Sequence, residues 1–337
     1  MTRRQTRAIL YSILLCLVIG SWIIIDHELS RHHYLSTDLM DLPYDIEASE
    51  PKVLSQNGIQ AMCRAMDCFV IIESPTTFTG RSKPLYLREN WERFKDFHHM
   101  IIYQIVEDNI QSPRIWDHED YFRNALFNAV FPSLMNTTRH ANTGDVLIVS
   151  DMDELLRPGV MVLLRHCRVP TSLTLRTQFY YYSFQWRHRG LQWAHPDATL
   201  YRGSSTIMPN DLRQGLLGNE WRPIAAVRRW WDRGTLWNAG WHCSSCFATI
   251  AEMRTKMNSF SHQGWNTAEN RDLNTLLNRV RHGLDLFGRT NELYDKIEDN
   301  KDVPAYISEQ YEQKGRFRYL MDRDREDVGF GDVSNLT

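Results

Sequence analysis

The sequence predicts a protein of the α/β class, with a mainly parallel central sheet, surrounding helices and one transmembrane helix at the N terminus. Short apolar runs typical of buried strands alternate with amphipathic helical patterns in the first half of the chain, which indicates βαβ units. A pair of aspartates directly follows one of these runs, and an uncharged apolar segment lies close to the N terminus. The chain of 337 residues is long enough to bury one substantial core after that segment, with or without a subdomain.

The apolar segment, residues 8–25, has the properties of a membrane anchor. It carries no charged side chain, and a helix of this length nearly spans the ~30 Å hydrocarbon core of a bilayer. Arginines within residues 1–7 favour a cytoplasmic N terminus. The end of the segment offers no small-residue cleavage site, which favours an uncleaved anchor over a signal peptide. We therefore expect a single-pass type II protein with a cytoplasmic tail (1–7), a signal anchor (8–25), a stem (26–66), a lumenal catalytic domain (67–325) and a C-terminal tail (326–337).

Three apolar runs predict strands of the sheet: Phe69–Glu73, residues 100–106 and Val146–Val149. A helix is predicted to begin at Pro84, between the first two runs, and a second helix, capped by Asp117, lies between the last two. This alternation of strands and helices is the basis for expecting a mainly parallel sheet.

The second half of the chain is more aromatic and less regular. Residues 172–186 alternate in character and are rich in Tyr, Phe and Trp, which predicts strands and loops packed over the functional edge of the sheet. Thr249 and Glu252 form a capping-box pattern at the start of one helix. Residues 270–282 predict another helix, which ends at Gly283.

The most informative motif is the pair Asp151 and Asp153, which follows the strand Val146–Val149. The carboxyl edge of an open α/β sheet is where ligands bind, and two carboxylates at this spacing can converge on one divalent cation. Such a cation would neutralise a nucleotide diphosphate as it leaves, which makes the chain a candidate nucleotide-sugar transferase. The alternative is an acidic turn in which Asp153 or Glu154 caps a helix or complements its dipole. A phosphotransferase with an aspartyl nucleophile is disfavoured by Leu155 in the position that such motifs give to Thr or Val.

The cysteines and one sequon bear on the compartment. Cys243 and Cys246 are candidates for a tight disulfide, which an oxidising lumen would preserve. Half of a zinc site and buried free thiols are the alternatives, although no second pair of this spacing supports zinc. Asn136 opens an Asn-Thr-Thr sequon and is a glycosylation candidate that agrees with a lumenal domain.

The charge distribution does not favour nucleic acid as a partner. The formal net charge is −2, and the cluster of Arg228 and Arg229 beside two tryptophans is small. A lumenal protein of balanced charge is not expected to bind nucleic acid.

Three stretches together resemble glycosyltransferase family 17, the family of enzymes that add bisecting N-acetylglucosamine to N-glycans. They are residues 69–87, residues 144–154 and residues 238–247, and the Arg-Asp-Leu-Asn run from Arg271 also looks like a family feature. The Gly-Trp-His-Cys-Ser-x-Cys-Phe segment within the third stretch is the specific element. Residues 45–66 do not match the segment that members of the family usually carry before the first of these stretches.

The resemblance implies a GT-A-like fold and a type II enzyme of the Golgi membrane with a lumenal catalytic domain. It implies UDP-N-acetylglucosamine as the donor, manganese or another divalent cation as cofactor, and transfer with inversion to a β-linked mannose of a glycoprotein N-glycan. A catalytically silent, membrane-anchored sugar-binding protein on the same fold is the alternative, as is a transferase that uses another UDP-sugar. The oligomeric state is left open.

The candidate site residues follow from the motifs and the resemblance together. Asp153 is the first choice as metal ligand, Asp151 is placed near the metal or the ribose, and His242 either completes the metal shell or is a satisfied core histidine. A further set of residues is predicted to hold the donor: Glu73, Arg81, Lys83 and Arg123, with Asp151.

The acceptor side is less determined by the sequence. The general base should be a carboxylate or histidine within reach of the acceptor hydroxyl, and the candidates are Asp272, Glu252 and Glu269. The alternative for Asp272 is a solvated helix position. Trp241, Tyr182 and Trp186 are candidates for stacking on a sugar, with burial in the core as the alternative.

Overall fold

Two β-sheets and a set of short helices form the part of the chain that the structure, a computed structural model, describes: residues 66–216, 231–260 and 262–333. The predicted cytoplasmic tail, the predicted anchor at residues 8–25 and nearly all of the predicted stem lie outside these residues. None of the helices within the described ranges is long and apolar enough to cross a bilayer.

The smaller sheet contains the first two predicted strands. β1 (Phe69–Glu73) pairs in parallel with β2 (Ile101–Ile105), with Phe69 opposite Ile101. The connection between them holds α1 (Tyr86–Glu89) and a 3₁₀ helix (Trp91–Phe97), so the helix predicted from Pro84 is divided. The division falls at Asn90, whose backbone leaves the helical region with φ −109° and ψ 18°.

The next helix begins earlier than the sequence predicts. α2 (Ile115–Ala125) has Arg114 at its N-cap, and Asp117 lies within the first turn. The carboxylate of Asp117 accepts a hydrogen bond from the hydroxyl of Ser112, so the prediction of Asp117 as the cap is wrong. The helix continues through one π turn (Leu126–Val130) into α3 (Phe131–Leu134), and Phe122 and Ala125 pack on Val106.

The larger sheet has seven strands. In chain order they are β3 (Val146–Val149), β4 (Glu154–Leu156), β5 (Ser172–Tyr181), β6 (Ser183–His188), β7 (Asp197–Leu200), β8 (Arg233–Ser244) and β9 (Tyr294–Lys296). The main order is β3-β7-β5-β6-β9, and β8 pairs with both β5 and β4.

The prediction of a mainly parallel central sheet is wrong. Among the described strands of the larger sheet, β5 and β8 pair in parallel, whereas β3–β7, β4–β8, β5–β6, β5–β7 and β6–β9 are antiparallel. The cause of one of these reversals is visible at Tyr182, a single residue with φ 64° that joins β5 to β6. A connection this short permits a hairpin, whereas a parallel pair needs a crossover of a dozen or more residues.

Five further α-helices follow β3 in the described part of the chain. They are α4 (Pro158–His166), α5 (Pro209–Arg213), α6 (Ile250–Ser259), α7 (Leu273–His282) and α8 (Ala305–Glu312). The capping box of Thr249 and Glu252 is confirmed, as is Gly283 as the left-handed residue that ends α7. The predicted helix over residues 270–282 begins only at Leu273, because the preceding turn is a 3₁₀ helix.

The C-terminal segment is part of the core. Val328, Phe330 and Val333 are buried in the same cluster as α6 and α7, and the carboxylate of Asp332 accepts hydrogen bonds from the first backbone N–H groups of α6. Arg323 is fully buried and donates to backbone carbonyl oxygens, including those of Tyr182 and Phe247. The folded domain therefore continues to Val333, past the boundary that the sequence suggested at residue 325.

Candidate active site

The two most informative sequence motifs meet at the carboxyl end of β3. After β3 the chain turns through Asp151 and Asp153 into β4, which pairs antiparallel with β8 so that Glu154 lies opposite His242. The close approach of the two strands depends on Gly240, because a Cβ atom there would overlap the carbonyl oxygen of Leu155. The strand pairing thus brings the Asp-x-Asp-Glu segment beside the Gly-Trp-His segment.

Glu154 is the buried centre of the site. Its side chain is 0% exposed, and it accepts hydrogen bonds from Arg213 at 2.8 and 3.0 Å, from Trp193 Nε1 at 2.8 Å and from the backbone N–H of Asp151 at 2.8 Å. Burial alone would raise the pKa of Glu154, but the hydrogen bonds and charge of Arg213 lower it overall. Glu154 begins a strand, so its interpretation as a helix-start charge is wrong.

Asp151 lies between two arginines. Its Oδ2 is 2.8 Å from Arg213 Nη2 and 3.9 Å from Arg123 Nη2, and Arg123 also donates to Glu119. Burial raises the pKa of Asp151, and the two arginines oppose that shift. Both guanidinium groups are already paired with carboxylates, Arg213 with Asp151 and Glu154 and Arg123 with Glu119, so two arginines face three acids on this side of the site.

Asp153 and His242 face each other on the other side. Asp153 Oδ1 lies 3.7 Å from His242 Nδ1, and the Asp153 side chain is 37% exposed. The histidine is buried, its ring stacks on Trp193 with centroids 4.7 Å apart, and its Nδ1 has no hydrogen-bond partner among the described residues. Burial lowers the pKa of His242, which favours the neutral ring that can coordinate a metal.

A second histidine–carboxylate pair lies beside Trp193. His195 Nδ1 is 2.6 Å from Asp197 Oδ2, and the other oxygen of Asp197 accepts from the Thr174 hydroxyl at 2.8 Å. Asp197 is opposite Val149 in the β3–β7 pairing, which places it at the same end of β3 as Asp151.

The site residues fit part of a metal shell. Within the described ranges, no group of three or more His, Cys, Asp or Glu side chains is placed to share one ion. Asp151 is directed to the arginines, so the metal role predicted for it has no support from this arrangement. The unpartnered Nδ1 of His242 and the half-open carboxylate of Asp153 fit two positions of a divalent-cation shell that substrate phosphates complete.

The other predicted donor residues have different surroundings. Glu73 accepts hydrogen bonds from the backbone N–H groups of Leu87 and Arg88 and from the Tyr103 hydroxyl, so its carboxylate holds the start of α1. Lys83 lies over the Tyr86 ring, and burial lowers its pKa. Arg81 is exposed in the loop after β1. Arg123 is the member of this set that the structure places beside Asp151.

The three predicted bases are engaged in local contacts. Asp272 is the N-cap of α7 and accepts from the backbone N–H and the hydroxyl of Thr275. Glu252 accepts from the backbone N–H groups of Ala248 and Thr249 in the capping box. Glu269 is exposed, 4.0 Å from Arg279. None of these contacts is with the residues at the end of β3.

The three predicted acceptor-binding aromatics are core residues in this structure. Tyr182 and Trp186 are buried, and the Tyr182 hydroxyl donates to the carbonyl oxygen of Leu284. Trp241 donates to Asp302 and is covered by the Arg157 guanidinium, 4.3 Å from its ring centroid. A sugar would have to displace these contacts to stack on any of the three rings.

The end of β8 carries a disulfide. Cys243 and Cys246 are bonded, with their Cα atoms 5.7 Å apart, and the Cys243 N–H donates to the Asp153 carbonyl oxygen at 3.2 Å. The bond therefore lies next to both His242 and Asp153. Asn136, the glycosylation candidate, follows α3 with φ 64° and an exposed side chain.

Sequence reasoning missed four residues of this site. Arg213 lies in a short helix without a recognisable motif, and Trp193, His195 and Asp197 come together only through strand pairing. The strand that begins at Glu154 was predictable from the sequence, because Pro158 marks the start of the next helix. The Glu-Leu-Leu run before Arg157 and Pro158 lies outside that helix and can form a strand.

Comparisons with known proteins give the chain a family. The model of glycosyltransferase family 17 matches residues 50–209 and 227–322, more than half of the chain, and it begins inside the predicted stem. The chain is 26% identical over 281 residues to proteins named beta-1,4-mannosyl-glycoprotein 4-beta-N-acetylglucosaminyltransferase from Rattus norvegicus and Homo sapiens, which covers 76% of this chain and 50% of each relative. It thus spans about half the length of these curated relatives, and no solved structure gave a significant match. The chain belongs to glycosyltransferase family 17.

Proposed function

We propose that this protein is a Golgi type II membrane glycosyltransferase with a GT-A-like lumenal domain. It transfers N-acetylglucosamine from UDP-N-acetylglucosamine to a β-linked mannose of a glycoprotein N-glycan, with inversion and with a divalent cation such as manganese. The names of the relatives support the donor sugar and the β-mannosyl glycoprotein acceptor.

The observation that carries this proposal is the pairing of β4 with β8. It sets Asp153 and His242 3.7 Å apart on one side of the turn after β3 and leaves Arg213 and Arg123 on the other side. A divalent cation can take a carboxylate and a neutral imidazole as ligands, and a diphosphate bound to that cation would compete with Asp151 for the guanidinium groups, which bind phosphate oxygens in pairs.

Each residue then has a defined task. Asp153 and His242 would hold the cation, which supplies charge neutralisation for the departing diphosphate when it is bound. Glu154 fixes Arg213 through hydrogen bonds at 2.8 and 3.0 Å, and the diphosphate would take the place of Asp151 on Nη2, to which Arg213 donates at 2.8 Å. The disulfide at Cys243 and the backbone bond from Cys243 to Asp153 hold the two candidate ligands at a constant separation.

The compartment belongs to the same proposal. Residues 8–25 would anchor the protein, and the stem would place the domain in the Golgi lumen. A disulfide between Cys243 and Cys246 agrees with an oxidising compartment.

A UDP-release assay tests the proposed function. The full-length chain, purified in detergent from a eukaryotic secretory host, is incubated with several UDP-sugars, an N-glycan with a β-linked core mannose, and either manganese or EDTA. We expect UDP release from UDP-N-acetylglucosamine with manganese, and at least about a 100-fold loss in Asp153→Ala, because removal of residues merely outside a metal shell already costs 10–100-fold. Asp96→Ala, at an exposed position in the 3₁₀ helix, is the matched control and should keep full activity.

The possible outcomes separate the alternatives. Donor binding without UDP release from any sugar would replace the enzyme by a silent sugar-binding protein. Release from a different UDP-sugar would overturn the donor assignment. Release that EDTA leaves unchanged would remove the cation from the proposal.

A further inference from the structure

The reaction proposed above requires a proton acceptor that the sequence did not identify. Direct displacement needs a group within hydrogen-bond reach of the acceptor hydroxyl. The carboxylates of Asp272 and Glu252 are occupied by backbone N–H groups, and Glu269 is exposed beside Arg279. The position of general base is therefore open.

The His195–Asp197 pair has the geometry of an oriented base. Asp197 is buried, with a side chain 3% exposed, and its two oxygens are taken by Thr174 at 2.8 Å and by His195 Nδ1 at 2.6 Å. An ionised carboxylate only accepts hydrogen bonds, so this contact places the ring proton on Nδ1 and leaves the lone pair on Nε2. No described residue forms a hydrogen bond with Nε2, and the His195 side chain is 21% exposed.

The pair also lies at the proposed donor site. The β3–β7 register sets Asp197 opposite Val149, the last residue of the strand that leads to Asp151. The charge of Asp197 is among those that raise the pKa of Arg213, which donates to both Asp151 and Glu154. The ring of Trp193 lies against His195, with centroids 5.6 Å apart, and stacks on His242 on the side of the candidate metal ligands.

We propose that His195 is the general base of the transfer and that Asp197 is its positioning residue; this assignment rests on the proposed function. His195 Nε2 takes the proton of the acceptor hydroxyl while that oxygen forms a bond to C1 of the donor sugar. The bond between C1 and the diphosphate oxygen breaks, and its electron pair leaves with UDP. The imidazolium, stabilised by Asp197, then releases its proton to solvent.

Another histidine–carboxylate pair, His188 and Glu292, provides a comparison in which both ring nitrogens are hydrogen-bonded. His188 Nε2 is 2.9 Å from Glu292, and His188 Nδ1 accepts from the Gly190 N–H at 3.1 Å. Both ring nitrogens of His188 have hydrogen-bond partners, whereas Nε2 of His195 has none among the described residues. The rings of His188 and His242 both lie beside the Phe179 ring, with centroid distances of 5.1 Å in each case. His188 is therefore a control position close to the site.

The test compares His195→Asn with His188→Asn in the full-length chain. Asparagine at residue 195 keeps an amide N–H for Asp197 and removes Nε2. We expect its kcat for transfer to an N-glycan with a β-linked mannose to fall by about 10²–10⁴-fold, the range typical of a general base. The Kd for UDP in the presence of manganese should stay within about threefold, and His188→Asn should retain its kcat.

Asp197→Asn supplies a second, independent measurement. Its amide can donate to Nδ1, which moves the ring proton to Nε2 and abolishes the acceptor, so kcat should fall while the KM for donor and acceptor hardly changes. A His195→Asn variant that binds UDP and keeps kcat within threefold would overturn the base assignment and leave the proposed function standing. Wild-type protein that binds UDP-N-acetylglucosamine but transfers nothing would overturn both, and a His195→Asn variant that fails to bind UDP would show a structural role instead.

Discussion

The carboxyl ends of β1 and β3 are alike in the sequence and differ in the structure. Each strand has a short apolar run that leads to an acidic side chain, Glu73 in one case and Asp151 in the other, and further along the chain to arginine or lysine. At the end of β1, Glu73 accepts hydrogen bonds from two backbone N–H groups and the Tyr103 hydroxyl. At the end of β3, the chain places three acids within four residues, and Asp153 keeps a half-open carboxylate beside an unpartnered histidine nitrogen.

The difference lies in the donors that surround each acid. A helix starts close to Glu73, and two N–H groups of its first turn, which have no partner within the helix, donate hydrogen bonds to the Glu73 carboxylate. After β3 the chain enters another strand, β4, whose backbone groups pair with β8. One backbone N–H, that of Asp151, donates to Glu154, and the other hydrogen bonds to Glu154 and Asp151 come from side chains. Arg213 satisfies Glu154 and Asp151, and the Asp153 side chain stays 37% exposed. An acid after a strand therefore keeps an open carboxylate when neither the backbone nor a neighbouring arginine donates to it.

The largest effect on stability is expected from the β3 end. Arg213→Met leaves the carboxylate of Glu154, whose side chain is 0% exposed, without its cation. Removal of one partner of a buried pair costs about 3–5 kcal/mol, and for a domain of this size that lowers Tm by about 6–20 °C. Tryptophan fluorescence during heating of the full-length protein measures the shift.

The matched control for Arg213 is an exposed ion pair. Arg189 lies 2.6 Å from Asp295, and the two side chains are 58% and 43% exposed. Arg189→Met should change the free energy of unfolding by less than about 1 kcal/mol. Equal Tm shifts in the two variants would mean that the hydrogen bonds from Trp193 and from the backbone are sufficient to stabilise the buried Glu154 carboxylate. The ends of β1 and β3 would then differ less in their dependence on an arginine.

Part of the fold was accessible from the sequence because it depends on local patterns. The bounds of β1 and β3, the capping box of α6 and the glycine that ends α7 are confirmed. The directions of strand pairing could not be predicted from local patterns. An apolar run indicates that a strand is buried but does not indicate which strand lies beside it. The single residue Tyr182 between β5 and β6 reverses the chain, and nothing about a tyrosine signals a left-handed turn.

The candidate site shows the same limit. Asp153 and His242 were identified as metal candidates because each lies in a recognisable motif, and the structure places them 3.7 Å apart. His195 and Arg213 carry no motif, and their positions in the site depend on the pairing of β3 with β7 and on the packing of α5. Residues that act through long-range pairing therefore need a structure before they can be named.

A smaller effect is expected at the β1 end. Glu73→Gln keeps one acceptor oxygen but loses the charge and one of the three hydrogen bonds, so the free energy of unfolding should fall by about 1 kcal/mol, the typical cost of a lost helix cap. Tm should then drop by about 2–4 °C, while kcat for UDP release stays at the wild-type value. The exposed Glu92→Gln is the control with no expected shift. A large loss of kcat in Glu73→Gln would instead show that the carboxylate at the end of β1 serves the donor, as its sequence context suggested.

The smallest effect concerns Asp272, whose carboxylate is bound in the same way as that of Glu73. Hydrogen bonds from the Thr275 backbone and hydroxyl lower the pKa of Asp272 below its ordinary value of 3.8. The folded state is therefore favoured by this group above pH 3.8, and that contribution is lost as the pH falls through the lower folded-state value. Asp272→Ala should lower Tm slightly at pH 7, the difference from wild type should shrink below pH 3.8, and Asp272→Ser should restore Tm because serine caps helices equally well.

The serine variant also distinguishes the cap from a base. A serine hydroxyl replaces the hydrogen bond to Thr275 but cannot accept a proton from a sugar hydroxyl at neutral pH. We expect Asp272→Ser to keep both Tm and kcat, in contrast to His195→Asn, which should keep Tm and lose kcat. If Asp272→Ser retained its Tm and lost kcat by 100-fold or more, the Asp272 carboxylate would be the base, and Nε2 of His195 would have to serve another step.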